Sequence, residues 1–120
     1  MINMPELPEV EVTKRALSPH IEGNVIEKLD IRETRLRWPI RVDLLKKIEH
    51  KTVTSISRRG KYILINTSSG TAMIHLGMSG SISIFNQYEP PKKHDHFDIH
   101  LSNKKIIRFN DPRRFGCFVW

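Results

Sequence analysis

One cysteine stands in 120 residues, Cys117, so no internal disulfide can close, and no Cys-x-x-Cys pair offers thiolates for a structural zinc. That suits a reducing compartment. No apolar stretch approaches the roughly 20 residues a membrane helix needs. The start is acidic and proline-bearing, not basic and then apolar, so neither membrane insertion nor a secretory leader is expected. A cytoplasmic protein is. Internal repeats and low-complexity tracts are also missing, and at 120 residues the chain is one domain's worth, long enough for a single core. Acidic side chains are in deficit: 13 Asp and Glu face 20 Lys and Arg, giving a formal +7 and a pI near 9.9. Such a balance favours a polyanionic partner, although a basic solvated surface would carry the same charge.

What is present is short, β-branched and punctuated. A helix is expected from Leu7 to about His20: Pro8 suits a first turn, Glu9 and Glu11 suit its positive end, and Val10, Lys14, Leu17 and Ile21 recur near helical spacing. Pro19 should kink or end it, with Gly23 as the stop. A second, short helix is expected at Val42–Lys47. Strands are expected at Val25–Arg32, Val53–Arg59, Tyr62–Thr67, Ala72–Leu76, Ser81–Phe85, Phe97–Leu101, Lys105–Phe109 and Gly116–Trp120. Turn residues separate them: Thr67-Ser68-Ser69-Gly70 and Ser102-Asn103-Lys104 read as hairpin turns and Pro90–Lys93 as an exposed connector. The fold class expected is mainly β (α+β), an antiparallel β-sandwich of about eight strands with an N-terminal helix and a second short one.

The terminal string Met4-Pro5-Glu6-Leu7-Pro8-Glu9-Val10-Glu11 could hold chemistry. If Met4 is the true start and is trimmed, Pro5 becomes a free secondary amine beside an acid, Glu6, and such an amine attacks electrophilic carbon to give an iminium ion. With Met1-Ile2-Asn3 attached, Pro5 is instead a tertiary amide with no nucleophilic lone pair. A misassigned start or an added stub is the reading adopted. Lys61 lies between Arg58-Arg59 and an apolar strand, where a lysine is commonly a solvated charge. Met78 sits in the glycine-flanked turn His75-Leu76-Gly77-Met78-Ser79-Gly80, and Arg113 and Phe115 follow Asp111-Pro112 on a tight loop. Apolar wedges and an arginine on loops of a basic protein suit insertion into stacked bases, but Met78 and Phe115 would equally suit a core. In an extended strand His94, His96, Asp98 and His100 share one face, which resembles a divalent-metal ligand set. Ile99 stands where the metallo-β-lactamase signature needs its last histidine, and no metal is assigned.

Six motifs in order, Met4–Glu11, Arg35–Pro39, Arg58–Tyr62, His75–Gly80, Lys93–His96 and Asp111–Gly116, resemble the bacterial formamidopyrimidine-DNA glycosylase (Fpg, MutM) family, and specifically its amino-terminal catalytic domain, here residues 1–120. The resemblance implies a bifunctional DNA glycosylase/AP lyase of base-excision repair that removes oxidised purines (8-oxoguanine, formamidopyrimidines) with an N-terminal proline nucleophile and cuts the strand by β,δ-elimination. It assigns Pro5 as nucleophile, Glu6 as acid/base, and Lys61 as a contact to the lesion nucleotide or its phosphate. Met78, Arg113 and Phe115 would fill the void left by an extruded base, and His75, His94 and Arg114 would hold phosphates. The partner implied is damaged double-stranded DNA bound by a monomer. No cofactor is expected in this stretch; one structural zinc belongs to the family's carboxy-terminal zinc finger, which with the helix-two-turn-helix is not found in these residues. Alone, these 120 residues should therefore be weak or inactive. Endonuclease VIII-like enzymes acting on oxidised pyrimidines, or a non-catalytic DNA-binding module, are the alternatives.

Overall fold

The computed structural model describes residues 7–120. Helix α1 spans Leu7–Ile21, with Glu9 in its first turn and Pro19 inside its last. Pro19 has no N–H to continue the ladder, and the helix stops two residues on at Ile21, with Gly23 just beyond it at a positive φ of 82°. Helix α1 buries Val10, Leu17 and Ile21. The second helix is shorter than its apolar stripe suggests: α2 covers Val42–Leu45 and tightens into a 3₁₀ turn at Lys46–Ile48.

Among the described residues, the strands are β1 (Ile26–Ile31), β2 (Val53–Arg59), β3 (Tyr62–Thr67), β4 (Gly70–His75), β5 (Ser81–Phe85), β6 (Asp95–Leu101), β7 (Ile106–Asn110) and β8 (Cys117–Val119). They form two four-stranded sheets, ordered β1-β6-β7-β5 and β2-β3-β4-β8, with antiparallel pairing throughout. The expected class and strand positions hold to within a residue or two. Period-2 burial builds the interior: Ile63, Ile65, Ala72, Ile74 and Phe118 from one sheet join Leu29, Phe97, Ile99, Leu101, Ile107 and Phe109 from the other in a single apolar cluster. Phe97 is stacked between Phe118 and Phe109 at ring-centroid distances of 4.2 and 5.0 Å. Burying one such ring stabilises by roughly 1.5 to 3 kcal/mol. Helix α1 lies against β2 and β3.

The opposite face of β6 carries His96, Asp98 and His100. Asp98, fully buried, accepts from Arg32 Nη2 and Nη1 at 2.8 and 3.1 Å and from Arg108 Nε and Nη2 at 2.8 and 2.9 Å. Burial pushes this carboxyl up, but the hydrogen bonds from Arg108 and Arg32 outweigh it and hold it below the usual range. Arg108 also donates to the Glu89 carbonyl at 2.6 Å and lies 4.9 Å from the Phe85 ring centre, so it fastens the segment after β5 to the sheet.

Candidate functional site

At one end of the sandwich a turn and a loop, far apart in sequence, are locked together. The turn Gly77–Ser79 follows β4 and carries Met78; the loop 111–116 connects β7 to β8 and carries Arg113, Arg114 and Phe115. Asp111, fully buried, joins them: Oδ1 accepts from Ser79 Oγ at 2.7 Å and Oδ2 from the Gly116 amide at 2.8 Å. Ser79 Oγ in turn accepts from the Arg113 amide at 3.1 Å. Gly77 has a φ of 62°, and a Cβ there would lie 2.5 Å from the Gly116 nitrogen, so only glycine lets the turn approach the loop this closely. The result is a rigid mount for side chains that point outward. Phe115 is 39% exposed, with the Arg113 guanidinium 5.1 Å from its ring centre; Met78 is half-buried.

Beside this mount runs an open cleft of about 640 Å³, lined by Arg35, Leu36, Arg37, Trp38, Arg113, Arg114 and Phe115. The Arg37 amide donates to the Gly116 carbonyl at 3.0 Å, bringing the Arg35–Trp38 segment against the loop. Trp38 is 51% exposed on the rim of this cleft. Arg35 is tied to Glu33 by two bonds of 2.8 Å, which hold the Glu33 carboxyl at about 2. Arg114, at a φ of 56°, reaches the same carboxylate only at 3.9 Å.

A second cluster borders the cleft through Arg37 and Trp38, which together with Tyr62, His75 and Cys117 line a pocket of about 240 Å³. His75 and Tyr62 are paired across β3 and β4, their rings edge-on at 4.9 Å, and Cys117 faces His75 from β8. His75 Nδ1 accepts from the Gly77 amide at 2.9 Å, so a neutral ring carries its hydrogen on Nε2 as a donor. Burial, then the charges of Arg37 and Lys61, lower its pKa and favour that neutral form. Burial pushes the Cys117 thiol up, which keeps it from acting as a thiolate. Lys61 sits in the two-residue turn Gly60-Lys61 joining β2 to β3. Helix α1 runs antiparallel to β2, with Glu22 bonding the Ile56 amide at 2.7 Å and Glu11 bonding Arg58 at 2.8 Å. Its first turn therefore lies toward Lys61.

His94, at a φ of 73°, lies on the rim of a further cleft of about 440 Å³ shared with Arg32, Lys92, Lys93 and Arg114. The chain thus gathers the apolar Met78 and Phe115, a row of guanidinium groups and a donor imidazole on one end. A family model described as the formamidopyrimidine-DNA glycosylase N-terminal domain matches residues 4–118. The chain belongs to this family. It is 54% identical over 117 residues to the formamidopyrimidine-DNA glycosylase of Vibrio atlanticus and 55% identical to that of Cellvibrio japonicus, covering 98% of this chain and 43% of each relative. It spans less than half the length of the curated relatives it matches. Its fold superposes on the Lactococcus lactis enzyme, solved non-covalently bound to DNA containing an AP site, with a TM-score of 0.84 and 32% identity, covering 94% of this chain and 44% of that one. A second crystal structure of the Lactococcus enzyme, with DNA containing Fapy-dG, matches equally well at a TM-score of 0.84.

Within the formamidopyrimidine-DNA glycosylase fold, the structure unites Met78, Arg113, Arg114 and Phe115 around one turn–loop pair and places His75 in a neighbouring pocket, with Lys61 on the hairpin turn next to Tyr62. Pro5 and Glu6 lie outside the described residues. The face His94–His96–Asp98–His100 does not gather as a ligand set. His96 Nε2 is 2.7 Å from the Asp111 carbonyl, and both oxygens of Asp98 are occupied by guanidinium groups. A tighter group, Asp30, Asp98 and His100, has donor atoms within 4.8 Å of one another, but the same two arginines hold its central carboxylate. Arg37, Trp38, Ser79 and Asp111 carry weight that reading the sequence did not assign. The exposed tryptophan between Arg37 and Pro39 was the signal available; the Ser79–Asp111 lock spans 32 positions and had none.

Proposed function

We propose that the protein is a base-excision repair enzyme, a bifunctional glycosylase and AP lyase acting on oxidised purines in double-stranded DNA. The observation that carries the reading is the locked pair of loops presenting Met78, Arg113 and Phe115 beside a guanidinium-lined cleft, in a chain of this family. Taking a base out of the stack costs a few kcal/mol, and side chains inserted in its place recover part of that. A rigid mount suits insertion because little side-chain and loop entropy remains to be lost. Arg113 and Phe115 enter the stack, Met78 supports them from the turn, and Arg114, His94 and the Nε2–H of His75 hold phosphate oxygens, which position the duplex without reading its sequence. A neutral donor imidazole does this without adding charge.

The chemistry is assigned to Pro5 as a free secondary amine. Its lone pair forms a bond to C1′ while the glycosidic bond breaks with its electrons going to the departing base, which takes up a proton. The amine then loses its own proton, nitrogen electrons form the iminium double bond, and the C1′–O4′ bond opens onto an oxygen protonated by Glu6. The iminium acidifies C2′, loss of that proton expels the 3′ phosphate, a second elimination expels the 5′ phosphate, and water releases Pro5. Lys61, at the turn toward which α1 begins, holds the lesion phosphate. The protein acts as a monomer at the nucleoid in the cytoplasm. The structural zinc of the family would lie in the part of the relatives this chain does not span, since a four-cysteine finger cannot be drawn from a single cysteine, Cys117.

The test is trapping. A full-length protein beginning at Pro5 should give a borohydride-stable adduct with 8-oxoguanine duplex, and one retaining Met1-Ile2-Asn3 should not. Equal trapping by both would remove Pro5 from this role, and trapping on oxidised pyrimidines alone would reassign the lesion class.

A further inference from the structure

The Arg58 side chain ties helix α1 to the turn holding Lys61. Its Nε donates to Glu11 Oε1 at 2.8 Å, and its Nη1 donates to the Gly60 carbonyl at 2.9 Å. Glu11 lies in α1, five residues after Glu6, and Gly60 immediately precedes Lys61. Glu11 Oε2 is itself fixed from its own helix by Arg15 Nε at 2.9 Å and Lys14 Nζ at 3.4 Å. Both ends of the link are stiff: Gly60 closes a two-residue hairpin at a φ of 60°, and Glu11 neighbours Val10, which is fully buried. Guanidinium suits such a link because its planar fork offers separate N–H directions to a carboxylate and a carbonyl at once. An ammonium is a point charge without that fork.

We propose that Glu11 and Arg58 form a strut that sets the start of α1 at a fixed distance from the turn holding Lys61. This rests on the function proposed above. The strut touches no substrate; Glu11 and Arg58 are positioning residues. Its value to the reaction is geometric. Misplacing a reacting group by about 1 Å can cost on the order of a hundredfold in rate. The Arg58 hydrogen bond, with Arg15 and Lys14, also holds the Glu11 carboxyl at about 2, so the strut stays charged wherever DNA repair would operate.

The experiment is single-turnover borohydride trapping on 8-oxoguanine duplex by full-length protein starting at Pro5, with affinity for undamaged duplex and the melting temperature measured alongside. Glu11→Gln removes a negative charge, so DNA binding should hold or tighten, while the trapping rate should fall by about tenfold or more. Arg58→Lys keeps the charge but loses the fork, and should give a smaller loss of the same kind; Glu11→Asp should fall between. A Glu11→Gln rate within twofold of the parent would overturn the strut. So would losses that simply track melting temperature across the three variants. Should Glu11→Gln not fold, Arg58→Lys carries the same test: a parental trapping rate there overturns the proposal. Failure of the parent protein to trap at all would instead strike the proposed function, which keeps the two failures apart.

Discussion

Two arginine-rich regions sit on one small sandwich and are built oppositely. On the outer face of β6, Arg32 and Arg108 spend their donors on Asp98 and on backbone carbonyls, and Arg108 is only 3% exposed. At the loop end, Arg37 and Arg113 have no carboxylate partner among the described residues, and Arg113 and Arg114 are exposed. Burial explains the first arrangement, since a desolvated guanidinium must be matched. The second costs little in water and leaves donors for a polyanion. The chain's excess of 20 basic over 13 acidic residues is therefore not a uniform coat: the buried arginines are matched in full, whereas at the loop end Glu33 alone among the described residues engages Arg35 and, at 3.9 Å, Arg114, leaving Arg37 and Arg113 unmatched.

The largest effect should come from breaking the paired region. Asp98→Ala leaves two guanidinium groups facing each other with their carboxylate gone, and removing one partner of such a buried network costs about 3 to 5 kcal/mol. Urea unfolding should show a midpoint shift of that size. A loss below about 1 kcal/mol would mean the network is solvated and the contrast with the loop end is false. Next is the lock. Asp111→Ala leaves the Ser79 hydroxyl and the Gly116 amide unsatisfied, a loss of about 2 to 3 kcal/mol, and should also loosen Arg113 so that discrimination by the base opposite the lesion weakens. Stability loss with unchanged discrimination would show that the mount is structural only.

Much of this contrast was written in the chain, and part was not. Strand positions follow from alternation over four to seven residues and from the turn residues between them, all local signals, which is why β2, β3 and β5 fall where alternation puts them. Arg113 and Phe115 could be placed on a loop because Pro112 and Gly116 bracket them. The order β1-β6-β7-β5 is not local, and so neither was the approach of Arg32 and Arg108 to Asp98 from the flanking strands. Read along β6 alone, His94, His96, Asp98 and His100 look like metal ligands. Read across the sheet, the carboxylate is an anion between two cations. The same reason hid Asp111, whose partners Ser79 and His96 come from other strands' ends.

The offered arginines should behave differently from both. Arg113→Ala and Arg114→Ala, being exposed, should each change stability by no more than about 0.5 kcal/mol. Arg114→Ala should flatten the salt dependence of binding to any duplex by roughly one unit of slope, as loss of a phosphate contact does. Arg113→Ala should leave that slope closer to the parent's and alter opposite-base preference instead. Identical behaviour of the two on every duplex and salt series would erase the division between stack and backbone. His75 adds a pH dependence of its own. Its folded pKa lies below the ordinary 6.5, so the neutral ring's contribution to stability is full above 6.5 and declines as pH falls from there toward the folded value. His75→Gln should remove that part of the profile.

The smallest effect tests a carboxylate that does face the offered side. Glu33 binds Arg35 closely and Arg114 at 3.9 Å, and its carboxyl is held at about 2 against an ordinary 4.5. The sign follows: stabilisation from this pair is complete above 4.5 and is lost as pH falls from there through about 2. Being a surface pair, it should give only a shallow slope in that window, weaker still in high salt. Glu33→Gln should remove the slope and, by releasing two guanidinium groups into the cleft, tighten duplex binding and steepen its salt dependence. If binding weakens instead, Glu33 is holding Arg35 and Arg114 in place for DNA. The loop end would then obey the same rule as the buried network, with its arginines placed by a carboxylate partner.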